Sequence, residues 1–458
     1  MRMGDTAGRG APRVALAVAA VGQLMVVLDS TIVNVALPSA QRELGFADPD
    51  RGWIISAYAL AMGSLLLVGG RLSDQLGQRT VFLAGLIGFG LASAYGGFAA
   101  DVAGLITARA AQGLFAALLA PSALSIVSTT FAAPEGRAKA FAVFGAVSGS
   151  GAALGLILGG VLTEAAGWRW CLLVNVPIAV SCAIAVLTAL PAEKRTGVPL
   201  AYDIPSVVFV AAGMSSIIAG LHRFEIAGLN DILGAAGAVG GFALLLAFAV
   251  RQRSAKPALL PPHIVTDRLR ATAFGSVGLC AFAMVSSTLF LTFEFQSTLG
   301  LGPLAAGLAF LPLTGGIMVG ALMIGGRLAP RYGARSVVAF GATTAFIGMG
   351  LLWMLNDIQS YFAGILPGIA VLGVGLGAIF AVTTPLATGR VAVSEGGIAS
   401  ATLSSSQQLC AALGVATTSM FAAFSTDSRT TYAVAAVAFA MILGLSFRLP
   451  RSAGRSVA

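Results

Sequence analysis

Apolar residues run along this chain in long blocks separated by short polar ones. The blocks lie near 14–36, 52–70, 80–98, 104–130, 138–163, 170–190, 204–221, 229–250, 270–296, 304–326, 336–355, 361–388, 401–423 and 430–448. Crossing a hydrocarbon layer of about 30 Å takes ~20 helical residues, so each block predicts one membrane-spanning helix. Only helices and closed barrels satisfy their backbone hydrogen bonds in lipid. These runs are too long and too evenly apolar for the ~10-residue alternating strands of a barrel. The expectation is an all-α polytopic membrane protein with 14 transmembrane helices. The seventh block ends in His222, Arg223 and Glu225, and the eighth is rich in glycine.

Composition agrees with the pattern. Of 458 residues, 57% are hydrophobic and 10% charged, with mean hydropathy +0.91, against roughly 25% charged in a soluble domain. The net charge of +9 does not signal a nucleic-acid partner, because the basic residues sit in short loops rather than in one stripe. With the N-terminus on the cytoplasmic side, 21 Lys and Arg fall in cytoplasmic segments, 5 in outer ones, and Arg109 inside a span. That bias predicts both termini in the cytoplasm. The polar segment 1–13 precedes an apolar run too long for a cleaved signal, so a retained first helix is expected. Only Lys139, Lys194 and Lys256 are lysine, which, with the Ala and Gly richness, suggests a GC-rich bacterial genome and a cell (inner) membrane.

Chemistry narrows to a few side chains. Cys171, Cys182, Cys280 and Cys410 lie in or beside apolar runs without metal or disulfide spacing. His222 and His263 have no companion ligands, so no metal site is expected. There is no phosphate-binding loop and hence no sign of ATP coupling. Charges inside spans are costly and mark function by default. Asp29 in the first span and Arg109 in the fourth are expected at matching depth, roughly 7–11 Å from the outer boundary at 1.5 Å per residue, where they can pair if their helices are neighbours. Glu294 lies near the outer end of the ninth, in Phe293-Glu294-Phe295-Gln296. A carboxylate in low-dielectric surroundings binds a proton more readily than in water. Asp29 as a packing group, Arg109 as a structural cation and Glu294 as a solvated interface residue stay open beside the coupling roles.

The run from Leu28-Asp29-Ser30-Thr31 through Ile32-Val33-Asn34-Val35-Ala36-Leu37-Pro38 resembles the first-helix signature of the fourteen-helix drug:proton antiporter branch of the major facilitator superfamily. Residues Gly70 to Arg79 resemble that superfamily's loop between helices two and three, with Gly70, Asp74, Gly77 and Arg79 in place and Gln75 where a basic residue is usual. Arg109-Ala110-Ala111-Gln112-Gly113 resembles the fourth-helix motif. Gly151, Gly155, Gly159 and Gly160 resemble the glycine ladder of the fifth-helix antiporter motif, with Leu156 where family members carry proline. Gly160, Glu164, Trp168-Arg169-Trp170 and Asn175-Val176-Pro177 resemble the stretch leading into the sixth helix, and Ser404 to Gly414 the thirteenth, with Cys410 in place of a common glycine.

An internal echo, residues 325–335 against 69–79, suggests duplicated halves related by an axis along the membrane normal. The expected organisation is residues 1–13 as a cytoplasmic N-terminus and 14–190 as a six-helix bundle. Two inserted helices over 204–250 and a basic loop over 251–269 follow, then a second six-helix bundle over 270–448 and a cytoplasmic tail over 449–458.

The resemblance implies a proton-coupled efflux transporter of small lipophilic or cationic compounds working by alternating access, without enzymatic activity or cofactor, as a monomer in the lipid bilayer. It assigns Arg109 to proton coupling and the 70–79 loop to gating; the buried-charge reading adds Asp29 and Glu294 as proton-coupling candidates, and the glycine ladder permits close helix packing. Asn34, Gln112, Gln296 and Gln407 are the polar candidates for a substrate cavity. Three rivals remain: a dedicated exporter of one metabolite, a nutrient symporter, which Leu156 keeps open, and a lipid-handling membrane enzyme, for which no catalytic cluster is visible.

Overall fold

A helix satisfies all its own backbone groups, so every long apolar run takes that form in lipid. The computed structural model describes residues 11–131, 151, 154–190, 203–254, 260, 262–355, 360–388, 396–424 and 429–450, and among them there is no strand. In chain order the long segments are α1 (Ala11–Leu44), α2 (Asp48–Leu76), α3 (Gln78–Gly97), α4 (Val102–Thr130), α5 (Leu154–Ala166), α6 (Trp170–Ala189) and α7 (Ile204–Ala227). They continue with α8 (Ile232–Gln252), α9 (Arg268–Thr298), α10 (Pro303–Ala329), α11 (Arg331–Met354), α12 (Tyr361–Ala387), α13 (Gly396–Phe424) and α14 (Arg429–Ser446).

Twelve of these, among the described residues, are long and apolar enough to cross a membrane. The two outside that set have different reasons. The first half of the fifth expected span, with Lys139, lies outside the described residues, which leaves the short α5. Helix α13 has the length, 29 residues, but Ser404, Ser405, Ser406, Gln407 and Gln408 make it polar. Helix α1 also runs beyond the expected limit at 36, continuing through Pro38 to Leu44. Proline is tolerated inside membrane helices where neighbours accommodate the freed groups. Asp29 therefore sits close to mid-helix, about 22 Å from the C-terminal end of α1 at 1.5 Å per residue.

Helices α1, α3, α4 and α6 share an apolar core with α2, in which Met25, Phe82, Leu86, Phe89 and Leu119 are buried. A second core joins α9, α10, α11, α12 and α14 through Phe295, Phe310, Val338, Ile369 and Phe439. A third cluster, with Ile32, Ile54, Trp168, Leu289 and Val415, bridges α1, α2 and α6 to α9 and α13. Helices α7 and α8 pack chiefly on each other, and α7 also lies against α2 and α13. Their outer faces expose Ile232, Val239 and Phe242, as expected of surfaces that meet lipid.

The two echoed loops adopt one conformation. Gly77 turns between α2 and α3 at φ 91°, ψ 137°, and Gly333 turns near the start of α11 at φ 81°, ψ 161°. Side chains with a Cβ rarely adopt that region. After each turn an arginine reaches the end of a later helix. The Arg79 Nη2 donates to the Leu187 carbonyl of α6 at 3.2 Å, and the Arg335 guanidinium lies 4.5 Å over Phe447 just past α14.

The α7–α8 pair is tied at one end by a polar latch. Buried Asp203 accepts from Ser206 and from Arg251 Nε at 2.7 Å, and Gln252 donates to Ser206 while accepting the Leu260 N–H at 2.8 Å. Burial pushes the Asp203 carboxyl up, but the Ser206 and Arg251 hydrogen bonds outweigh it and hold the group below its ordinary value of 3.8. A depressed carboxyl contributes stability above the unfolded value that is lost as pH falls through the folded one. Replacing Asp203 by Ala leaves Gln252 and Ser206 short of a partner, an expected cost of about 1–3 kcal/mol. Thermal unfolding in detergent checks this: wild type and variant should differ at pH 7 and converge as the pH falls from the ordinary value of 3.8 through the lowered one.

Candidate functional site

Four fully buried polar side chains from α1, α4 and α6 meet in the core of the first half. Arg109 Nη1 lies 2.6 Å from Asp29 Oδ2. Asp29 Oδ1 accepts from Gln112 Nε2 at 2.9 Å and from Asn175 Nδ2 at 2.7 Å. Gln112 completes a ring, accepting from Arg109 Nη1 at 2.9 Å and donating to Ser93 Oγ of α3 at 2.8 Å. Arg109 also donates through Nε to the Ile54 carbonyl of α2 at 3.4 Å, and its guanidinium stacks 4.3 Å from the Tyr58 ring centre. Asp29, Gln112 and Asn175 are 0% exposed and Arg109 1%.

The local sequence explains the convergence. Arg109 and Gln112 are three apart on one face of α4, so both reach α1. Asn175 opens the second part of α6, just past the turn at Val174. Removing two charges from water costs several kcal/mol per ion, and close contacts repay it only when every partner is in place. Here the Asp29 carboxylate has three donors, and one acceptor in the ring is idle: Asn175 Oδ1 has no partner.

A second constellation is the seam between halves, at the end of the bundle that carries residues 45–51 and 297–303. Gln296 Nε2 of α9 donates to the Val35 carbonyl of α1 at 3.0 Å. Glu164, just past the α5 glycines, accepts the Leu304 N–H in the first turn of α10 at 3.2 Å, where a carboxylate meets the positive end of a helix. Ser56 of α2 donates to the Ala412 carbonyl of α13 at 3.4 Å. Glycines permit close approaches on both sides of α5: across the seam a Cβ on Gly307 of α10 would lie 2.4 Å from the Leu156 carbonyl oxygen. A Cβ on Gly155 would lie 2.8 Å from the Leu28 carbonyl oxygen of α1, and one on Gly160 would lie 2.6 Å from the Pro303 carbonyl oxygen of α10. Leu156, where the resembling family carries proline, is buried in the second core beside Gly307.

The model of the Major Facilitator Superfamily matches residues 19–415. This chain belongs to that superfamily. The transporter is 45% identical over 403 residues (88% of this chain, 80% of the relative) to the puromycin resistance protein of Streptomyces alboniger. It is 35% identical to the cephamycin export protein of Amycolatopsis lactamdurans, covering 91% of this chain and 86% of the relative. It is 31% identical to the tetracenomycin C resistance and export protein of Streptomyces glaucescens, covering 89% and 75%. It is therefore a multi-pass membrane transporter and not an enzyme.

Within the transporter, the residues singled out from the sequence fall in several places. Asp29 and Arg109 form one pair, and Gln112, expected in a substrate cavity, has its amide engaged by Asp29, Arg109 and Ser93. Glu294 lies apart, half-buried on a π-helical turn at the end of α9, where its charge acts on Tyr432 of α14. Asn34 is buried with its Oδ1 unpaired, as is Oε1 of Gln296, and Gln407 is half-buried on α13. Residues 70–76, expected as a loop, are the last part of α2, so Gly70 lies inside the helix and Gly77 alone makes the turn to α3; the Asp74 side chain lies outside the described residues. Gly151 and Gly159 pack on Val27 and Ile32 of α1.

The sequence reading missed the roles of Asn175 and Ser93. It also missed Glu43, which accepts from Trp168 Nε1 at 2.8 Å and Arg169 Nη2 at 3.0 Å, while Arg169 Nη1 donates to the Ala99 carbonyl at 2.7 Å. The signal for Asn175 was present in Asn175-Val176-Pro177, a polar residue inside an apolar span.

Proposed function

We propose that this transporter exports small lipophilic or cationic compounds, antibiotics among them, in exchange for protons by alternating access. One observation carries the reading: the ion pair between Asp29 and Arg109, fully buried and completed by Gln112 and Asn175. A charge pair at that depth stabilises little compared with apolar packing, so its retention fits a group that changes state. Protonation of Asp29 removes the charge that holds Arg109. The Asn175 amide can then turn over, so that its idle oxygen accepts the new carboxyl O–H. Arg109, left without a counter-ion, favours a rearranged bundle, and that rearrangement opens the seam held by Gln296, Glu164 and Ser56. The basic residues support placing both termini in the cytoplasm and the seam at the outer face, with two six-helix bundles flanking α7 and α8.

Imposing a pH difference across vesicles that hold the purified protein tests the proposal. Efflux of ethidium should follow the size and sign of the gradient, with the dye accumulating on the proton-rich side; dye movement indifferent to the gradient would remove the proton from the scheme. A second reading, a dedicated exporter of one compound, is supported by relatives whose names each specify a single antibiotic. Susceptibility of an efflux-deficient host to a panel of antibiotics separates the two: protection against one compound favours the dedicated exporter, protection against many the broad one.

A further inference from the structure

A groove lies well away from the buried charge network, between the beginning of α1 and the last half of α6. It is an open trough of about 690 Å³, walled by Val14, Val18 and Val21 from α1 and by Ile178, Cys182 and Ala185 from α6, with Arg13 at one end. The Asp29–Asn175 and Glu43–Trp168 hydrogen bonds together show that the two segments run antiparallel, so the Arg13 end of α1 lies beside the C-terminal end of α6. From Arg13 to Val21 the groove follows α1 for about 12 Å at 1.5 Å per residue, which suits the upper part of an acyl chain. Its floor is buried at Val18 and Cys182, while Ala17, Val21 and Pro177 on its rim are exposed. An apolar trough that opens sideways from a membrane-spanning bundle faces lipid.

The charge at the mouth selects the occupant. Arg13 is exposed and forms no ion pair among the described residues, and the first turn of α1 holds no acidic residue. Arg79 lies at the same end of the bundle, on the Leu187 carbonyl of α6. Basic pockets between spans recognise anionic headgroups. We propose that this groove is a binding site for an anionic phospholipid, with one acyl chain between α1 and α6 and the phosphate headgroup at Arg13. The site is independent of substrate export and of the coupling scheme.

The test is native mass spectrometry of the full-length protein, released from nanodiscs of equal phosphatidylglycerol and phosphatidylcholine. Wild type should retain phosphatidylglycerol preferentially. Arg13→Gln removes one charge worth about 1 kcal/mol near an anionic surface, so that preference should fall about fivefold, and Arg13→Glu should abolish it. Ala17→Trp, which fills the trough, should reduce retention of both lipids, with unchanged thermal unfolding as the control for folding. Equal retention of the two lipids by wild type, or an unchanged preference in Arg13→Glu, would overturn the assignment. So would displacement of the lipid by ethidium, which would make the groove a substrate entrance. Stronger lipid retention after deletion of residues 2–9 would make the N-terminal segment the native occupant, with the same consequence.

Discussion

Asp29→Asn should reduce gradient-driven efflux by about 100-fold or more while leaving the protein folded. The substitution keeps size and shape and presents a neutral side chain, as protonation would, but permanently. Its amide oxygen can still accept from Gln112 and Asn175, so the ring keeps part of its bonding. What disappears is the attraction that holds Arg109, and breaking a buried pair by removing one partner is worth about 3–5 kcal/mol, or roughly 10²–10⁴ in an equilibrium. With the two states no longer distinguished by a proton, the imposed gradient has nothing to act on. Exchange of substrate across the membrane without a gradient should survive.

Arg109→Ala separates coupling from folding. It strands the Asp29 carboxylate in the core and should lower the unfolding temperature by more than Asp29→Asn does: both variants leave one buried charge without its counter-ion, but the alanine also removes the packing on the Tyr58 ring and the bonds to Gln112 and the Ile54 carbonyl. The double variant Asp29→Asn/Arg109→Ala should recover much of that stability and none of the coupled transport. Efflux rates against imposed pH difference, measured beside thermal unfolding for all three variants, test this. Full gradient-dependent efflux in Asp29→Asn would dismiss the carboxylate from the cycle and leave the pair a packing element.

How much of this was legible beforehand depends on the kind of signal. Span positions were readable because burial in lipid imposes one requirement on every residue of a run, and the twelve apolar spans follow from it. Two charged residues inside spans were readable for the same reason, since each is an exception to that requirement. The mid-helix place of Asp29 was not, because nothing local marks α1 as continuing past Pro38. The ring itself was only half legible: Gln112 shares a face of α4 with Arg109, but Asn175 lies 146 residues from Asp29, and only the packing of α6 on α1 unites them. Glu164 shows the opposite limit. It looked like part of a motif string, while its partner is a backbone N–H on the other half of the molecule, which no residue-type pattern encodes. The glycines were legible as small residues for close packing, but not which neighbour each one faces.

That last distinction sets up the second large effect. Gly155 and Gly160 belong to one ladder, yet they face different halves: Gly155 rests on α1, Gly160 on α10. Gly160→Val should therefore act on the seam and not on the first bundle. Its new Cβ would meet the Pro303 carbonyl oxygen at 2.6 Å and the Leu304 Cα at 2.7 Å, both backbone atoms that cannot rotate away, so α5 and α10 must separate. The same displacement would pull Glu164 off the Leu304 N–H. The closed arrangement at that end then becomes the strained one, and the population shifts toward the state in which it is open; a bias of about 2.8 kcal/mol changes the ratio 100-fold. Export should fall to background with normal expression. A cysteine at Val35, which is 0% exposed beside the seam, should react with a membrane-impermeant maleimide several-fold faster in the Gly160→Val protein than in the Gly160 parent. Unchanged reactivity together with lost export would place the damage inside the first bundle and refute the seam as a moving contact.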